Sequence, residues 1–359
     1  MKLGYFTLTD NPPAYGATRR DPGQLIRDVV EECVEAEQMG FNSCWVPEHH
    51  LGLFGVLPSP TMFLSHVAAR TKRIKLGPAT VLLPCNHPLR VVEEFNLLDV
   101  LSDGRAVFSA GRGYDEREYR AYGVPFEQSR ELFDEQMAFV MAAWRESPVS
   151  FEGKYYSMTD PVVVTPGPVQ RPHPEVYIAC FSKPSVELAA SLCVNTIFAP
   201  FAAAMVFGSV QQAAQESKRM AREAGAAEPK VMCSYFTSVA HSANEETAAR
   251  ERLLHYLHGV LPAFPADRSR TPPHIAYFVD IVERLKSMKA SDLGDRSIVT
   301  GDPERCVEIL KRCEEGGIDE VICYFNFGQL SHGDTLKAME RFAKEVMPHF
   351  AETAERVTV

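Results

Sequence analysis

The sequence has no Cys-x-x-Cys pair, no tract of basic residues, no glycine-rich dinucleotide fingerprint in its first turn and no long apolar run at its start. Each gap closes off a class of function. The nine cysteines, an odd number, stand singly at Cys33, Cys44, Cys85, Cys180, Cys193, Cys233, Cys306, Cys313 and Cys323. They read as reduced, buried thiols, with no disulfide and no metal. Lys plus Arg number 37 against 47 Asp plus Glu, for a formal charge of −10, so neither nucleic acid nor an anionic membrane is the expected partner. The opening Met1-Lys2-Leu3-Gly4-Tyr5-Phe6 turns polar at Thr9-Asp10-Asn11, too early for a signal peptide or a membrane span. That predicts a cytoplasmic protein.

What is present is an ordinary globular composition, 45% hydrophobic and 23% charged over 359 residues, enough to bury a core without staples. Short apolar runs alternate with stretches of helical period from end to end, the pattern of an α/β chain. Strands are expected at 3–8, 43–46, 74–83, 105–110, 176–179, 196–199, 231–240 and 320–325, with helices between them. Residues 147–174 read as an inserted hairpin. Eight such pairs predict a (β/α)8 TIM barrel with loop insertions, taken as one domain over 1–359. A doubly wound sheet would carry Gly-x-Gly-x-x-Gly after its first strand, where this chain has Asp10-Asn11-Pro12-Pro13. Residues 259–298 break the rhythm with Pro262, Pro265, Pro272 and Pro273, which marks a lid over the barrel mouth.

Barrel chemistry sits where the strands end. Strand two ends in Glu48-His49-His50, groups able to move protons near neutral pH, though such a pair also serves as a hydrogen-bonded structural element. Adjacent histidines do not have the spacing of a helical zinc site. Gly77-Pro78 in strand three is compatible with a simple bend. Strand four ends in Gly111-Arg112-Gly113, where glycines admit close approach and a guanidinium can fork onto a phosphate or form a plain salt bridge. Cys180-Phe181-Ser182-Lys183-Pro184-Ser185 opens a helix with two hydroxyls and free backbone donors, either an anion cradle or an ordinary cap.

Taken together, Glu48-His49-His50, the strand Gly77 to Pro84 with His87-Pro88, and Leu101-Ser102-Asp103-Gly104-Arg105 through Arg112-Gly113 resemble the bacterial luciferase-like flavin monooxygenases in kind and order. The likeness is continuous over residues 1 to about 190 and returns at Val299-Thr300-Gly301-Asp302-Pro303 and Val346-Met347-Pro348. It implies flavin mononucleotide used as FMNH2, its phosphate on Arg112, Ser182 and Ser185 with a backbone donor from Phe181. It also implies a non-prolyl cis peptide at Ala79-Thr80 beside the ring. His49 becomes the acid or base at the flavin's reacting edge. Phe6 becomes a wall of the substrate pocket, with Trp45 and Phe325 adding apolar surface. The reaction implied is oxidation of a small apolar substrate by O2 through a C4a-peroxyflavin, with reduced flavin from a separate reductase, by a homodimer. Two rival roles share the barrel: hydride transfer with the deazaflavin F420, and a non-catalytic barrel subunit. Gly111 stands where luciferase proper has cysteine and Phe181 where it has glutamate, which puts light emission and a long-chain aldehyde in doubt.

Overall fold

The computed structural model describes residues 1–269, 271–272 and 275–350, so Pro273 and the last residues of the 1–359 span lie outside it. The strands are β1 (Lys2–Phe6), β2 (Ser43–Val46), β3 (Lys75–Pro78), β4 (Val81–Leu82), β5 (Val107–Gly111), β6 (Val149–Glu152), β7 (Ser157–Val162), β8 (Glu175–Ala179), β9 (Asn195–Phe198), β10 (Val231–Val239), β11 (Ile298–Gly301) and β12 (Glu320–Tyr324). The helices are α1 (Pro22–Gln38), α2 (Pro60–Arg70), α3 (Pro88–Leu101), α4 (Glu116–Ala121), α5 (Ser129–Arg145), α6 (Lys183–Ser191), α7 (Pro200–Phe207), α8 (Val210–Glu223), α9 (Ala243–Val260), α10 (Tyr277–Ser287), α11 (Pro303–Glu315) and α12 (His332–Glu345).

The parallel strands run in the order β3-β2-β1-β12-β10-β9-β8-β5-β4, which is an α/β barrel of the TIM type. It closes where Leu76 N donates to Arg105 O at 3.0 Å and Leu76 bridges Ala106. The expected third strand is interrupted. Its halves β3 and β4 flank a cis peptide at Ala79-Thr80, the bond the resemblance implied, and no ladder continues through it. The hairpin of β6 and β7 is present as an antiparallel pair. In the segment expected to be an irregular lid, helix α10 occupies the middle, and β11 follows it to pair with the end of β10.

Helix starts are written locally. Pro22, Pro60, Pro88, Pro200 and Pro303 occupy the first helical turn, where a missing N–H costs nothing, and Asp21, Ser59 and Asp302 accept from the helix they open. The floor of the barrel is packed solid. A Cβ on Gly77 would come within 2.5 Å of the Trp45 ring, and one on Gly4 within 2.2 Å of Ser43 Oγ. Trp45 Nε1 donates to Ser43 Oγ at 2.7 Å, and that hydroxyl in turn donates to Glu320. Nearby, Glu175 lies between Lys75 (2.6 Å) and Lys230 (2.9 Å). Burial pushes its carboxyl up, but the two lysines outweigh that and hold it at about 2. With the floor filled, the barrel interior is open at the C-terminal ends of the strands.

Candidate functional site

A cavity of about 300 Å³ opens there, a size that holds a small cofactor or substrate. Phe6, His49, Ala79, Thr80, Arg112, Phe181, Ser182 and Ser185 all line it, so most of the expected site residues converge. Two do not. Trp45 lies in the barrel floor, buried and edge-on to Tyr177 at 5.9 Å, and Phe325 points outward into the helix layer against Phe41 and Phe342. The alternation of strand side chains explains the second case: Tyr324 lines the cavity, so its neighbour must face away.

One wall is cationic. Arg112 follows β5, and its Nη1 is buried with no hydrogen-bond partner. Burial pulls its pKa down, and the charge of Arg130 acts in the same direction. Arg130, on α5, pairs with Asp134 at 2.7 Å and reaches Pro184 O at 3.1 Å, which brings it to the first turn of α6. There Ser182 N donates to Ser185 Oγ at 3.2 Å, and Ser185 Oγ donates to Ser182 O at 2.6 Å. A buried guanidinium without an acidic partner beside this turn lacks an anion, and a phosphate fits its planar fork. The residues present therefore suit a phosphate-bearing flavin. Arg130 was not singled out from the sequence, because a cation on an α5 turn looks like any solvated helix charge.

The opposite wall is apolar and aromatic. Phe6 and Tyr324 rings are 5.4 Å apart, Phe236 and Tyr324 5.3 Å, and Phe236 and Tyr256 5.0 Å. Between the walls His49 stacks on Phe54 at 4.3 Å, with Nδ1 3.7 Å from Glu118 Oε1. Glu118, from the short helix α4, also accepts His50 N at 2.7 Å. Burial raises its carboxyl, yet the contacts with His49 and His50 outweigh that and leave its pKa below the usual value. His50 turns away from the cavity to hold Glu48 (2.9 Å), whose other oxygen accepts Leu82 N at 2.9 Å. The expected Glu-His-His cluster thus divides: His49 and Glu48 line the cavity, Glu48 also bracing β4, while His50 lies behind them. Among the described residues no group of three His, Cys, Asp or Glu side chains could hold a metal ion.

The model of the luciferase-like monooxygenases matches residues 1–320. The chain belongs to that family. Within it, the alkanal monooxygenase alpha chain of the Kryptophanaron alfredi symbiont is 28% identical, with 98% of this luciferase-like chain and 99% of that one aligned. The oxygenase component of a flavin-dependent trigonelline monooxygenase from Acinetobacter baylyi is 24% identical over 92% of this chain and 91% of its own. Three solved structures share the fold. Monooxygenase RslO1 from Streptomyces bottropensis superposes with a TM-score of 0.81 at 24% identity, covering 98% of this chain and all of that one. The oxygenating constituent of 3,6-diketocamphane monooxygenase from Pseudomonas putida, in complex with FMN, gives 0.75 at 18%, covering 97% and 98%. An F420-dependent secondary alcohol dehydrogenase gives 0.73 at 16%, covering 98% and 99%.

Gly111 and Phe181, singled out in the sequence, each have a close neighbour in this luciferase-like barrel. A Cβ on Gly111 would stand 2.2 Å from Thr80 Oγ1, so the cis-peptide threonine fills the space a cysteine side chain would take. Phe181 tilts against Phe278 of α10 at 6.1 Å, joining the helix to the cavity rim.

Proposed function

We propose that this chain is the oxygenase half of a two-component flavin monooxygenase that accepts FMNH2 from a separate reductase and oxidises a small apolar molecule with O2. The observation that carries the reading is the cavity's polarity: a buried arginine with an unpartnered Nη1 beside a serine turn on one wall, an aromatic surface on the other, and His49 between them. Arg112, Ser182, Ser185 and the Phe181 backbone would hold the phosphate, and Ala79-Thr80 would support the ring. The bound reduced flavin would supply the two electrons that activate oxygen. His49 would hand a proton to, or take one from, the reacting substrate atoms, held in place by Phe54 and Glu118. Phe6 and Tyr324 would exclude water and seat the substrate. The FMN complex of the camphane enzyme supports this cofactor, and the description of the trigonelline enzyme as an oxygenase component supports a reductase partner.

The experiment is an anaerobic titration with reduced FMN, and with reduced F420 in parallel, followed by mixing with oxygenated buffer. We expect saturable binding of FMNH2 and a slow return of oxidised-flavin absorbance relative to free flavin. Binding of F420 but not FMN would replace the oxygenase with the hydride-transfer reading.

The reading includes a cytoplasmic homodimer through the barrel helices. Its support is an exposed apolar strip on neighbouring helices: Met62 on α2 is 76% exposed, with Leu97 (47%) and Leu101 (56%) on α3. A lone monomer rarely leaves such side chains grouped. Sedimentation of the wild type should give a dimer, and Met62→Glu with Leu101→Glu should give a monomer. A monomeric wild type would remove the dimer from the proposal.

A further inference from the structure

Helix α10 begins at Tyr277, and the two residues at its start do different jobs. Phe278 anchors the helix: its ring lies 5.2 Å from Tyr114, which follows β5, 5.4 Å from Phe264 and 6.1 Å from Phe181 at the start of α6. Both residues line the cavity, and Tyr277 faces Arg112 there. Burial pushes its phenol up to about 12 even with the guanidinium facing it, so it remains a protonated hydroxyl. A guanidinium has donors only, and a neutral phenol has a hydrogen to give as well as an oxygen to receive with. Arg112 Nη1 still has no partner with Tyr277 in place. What is missing from this corner is an acceptor that both could share.

We propose that Tyr277, at the start of α10, is a donor to the cofactor phosphate, so that the phosphate, rather than the ring or the substrate, fixes α10 in its place over the cavity. The inference rests on the flavin reading given above and adds to it the group that couples cofactor binding to the stability of α10. The same phosphate oxygens that satisfy Arg112 would take the Tyr277 hydrogen, and α10 would then be held at both residues. Without the anion, α10 keeps the packing of Phe278, Ile281 and Leu285 but has no such link at its first turn.

The test is backbone hydrogen exchange across residues 277–287 in the apoprotein, with FMN, and with riboflavin, which has the same ring and no phosphate. FMN should slow exchange there and riboflavin should not. In Tyr277→Phe, FMN should bind about tenfold or more weakly, as the loss of one hydrogen bond to a charged group predicts, with riboflavin affinity unchanged. Equal protection by riboflavin, or an unaltered FMN affinity in Tyr277→Phe, overturns the assignment. Inorganic phosphate separates the two layers of argument. A wild-type chain that binds no flavin, yet shows phosphate-dependent protection of α10 that Tyr277→Phe abolishes, keeps the Tyr277 role and rejects the flavin. If neither FMN nor phosphate protects α10, the Tyr277 assignment falls.

Discussion

Arg112→Ala is expected to weaken FMN binding about 10²–10³-fold while leaving the apoprotein close to wild-type stability. The first half follows from the strength of charge-assisted hydrogen bonds, roughly 1.5–3 kcal/mol each, two of which a guanidinium can place on one phosphate. The second half follows from what Arg112 lacks. It is buried, its Nη1 is unpartnered, and burial and Arg130 both pull its pKa down, so in the apoprotein its charge is a cost. Removing it relieves that cost and forfeits the packing of its stem, and the two should nearly cancel. Flavin fluorescence quenching gives the affinity and thermal unfolding the stability. Riboflavin is the internal control, because it never engages the phosphate wall. An FMN affinity within twofold of wild type would sink the phosphate assignment. Arg112→Lys should recover only part of the loss, since an ammonium offers a point charge in place of a planar fork.

His49→Asn is expected to lower turnover of the eventual substrate about 10²–10⁴-fold, the usual contribution of a positioned acid or base, with FMN affinity nearly unchanged. The ring sits on Phe54 and 3.7 Å from Glu118, away from the phosphate wall, so the two functions should separate cleanly in kcat and Kd. Glu118 sets the pH range of that arrangement. Its folded-state pKa lies below the unfolded value, so its contribution to stability is complete above the unfolded pKa and is lost as pH falls through the folded one. The His49 loop should therefore hold through neutral and mildly acidic conditions and loosen only in stronger acid. Stopped-flow turnover against pH reads this directly. A His49→Asn enzyme retaining half its turnover would show that the imidazole carries no proton in the slow step.

Much of the barrel was legible because many of its strands and helices announce themselves locally: a short apolar run, then a proline or a cap at the next helix. Arg112, Ser182 and the Ala79-Thr80 bond were legible through motif order. Trp45 misled because alternation places it inside the barrel without saying at which end, and here Gly77, Ser43 and Glu320 draw it to the floor. Glu118, Arg130 and Tyr277 escaped notice because each sits on a helix outside the strand-end motifs. Their importance comes from distances of 2.7–3.7 Å across the fold, or from a shared cavity, and no local spacing encodes either. Helix α10 was hidden by the prolines before it, which disguise an ordered cover as an irregular loop.

Cys85 lies close enough to Glu48 and Glu118 to feel both charges, and burial together with those carboxylates pushes its thiol up to about 12. The thiolate is the form that attacks peroxide, and a cysteine held so far above neutrality has almost none to offer. Because Thr80 occupies the space beside Gly111, the cofactor wall carries no second sulfur there. On the reading proposed above, a protein that brings reduced flavin and oxygen together would release some hydrogen peroxide whenever substrate is scarce. The arrangement would spare Cys85 from that side reaction, with the carboxylates that hold His49 and His50 also keeping the nearby sulfur protonated.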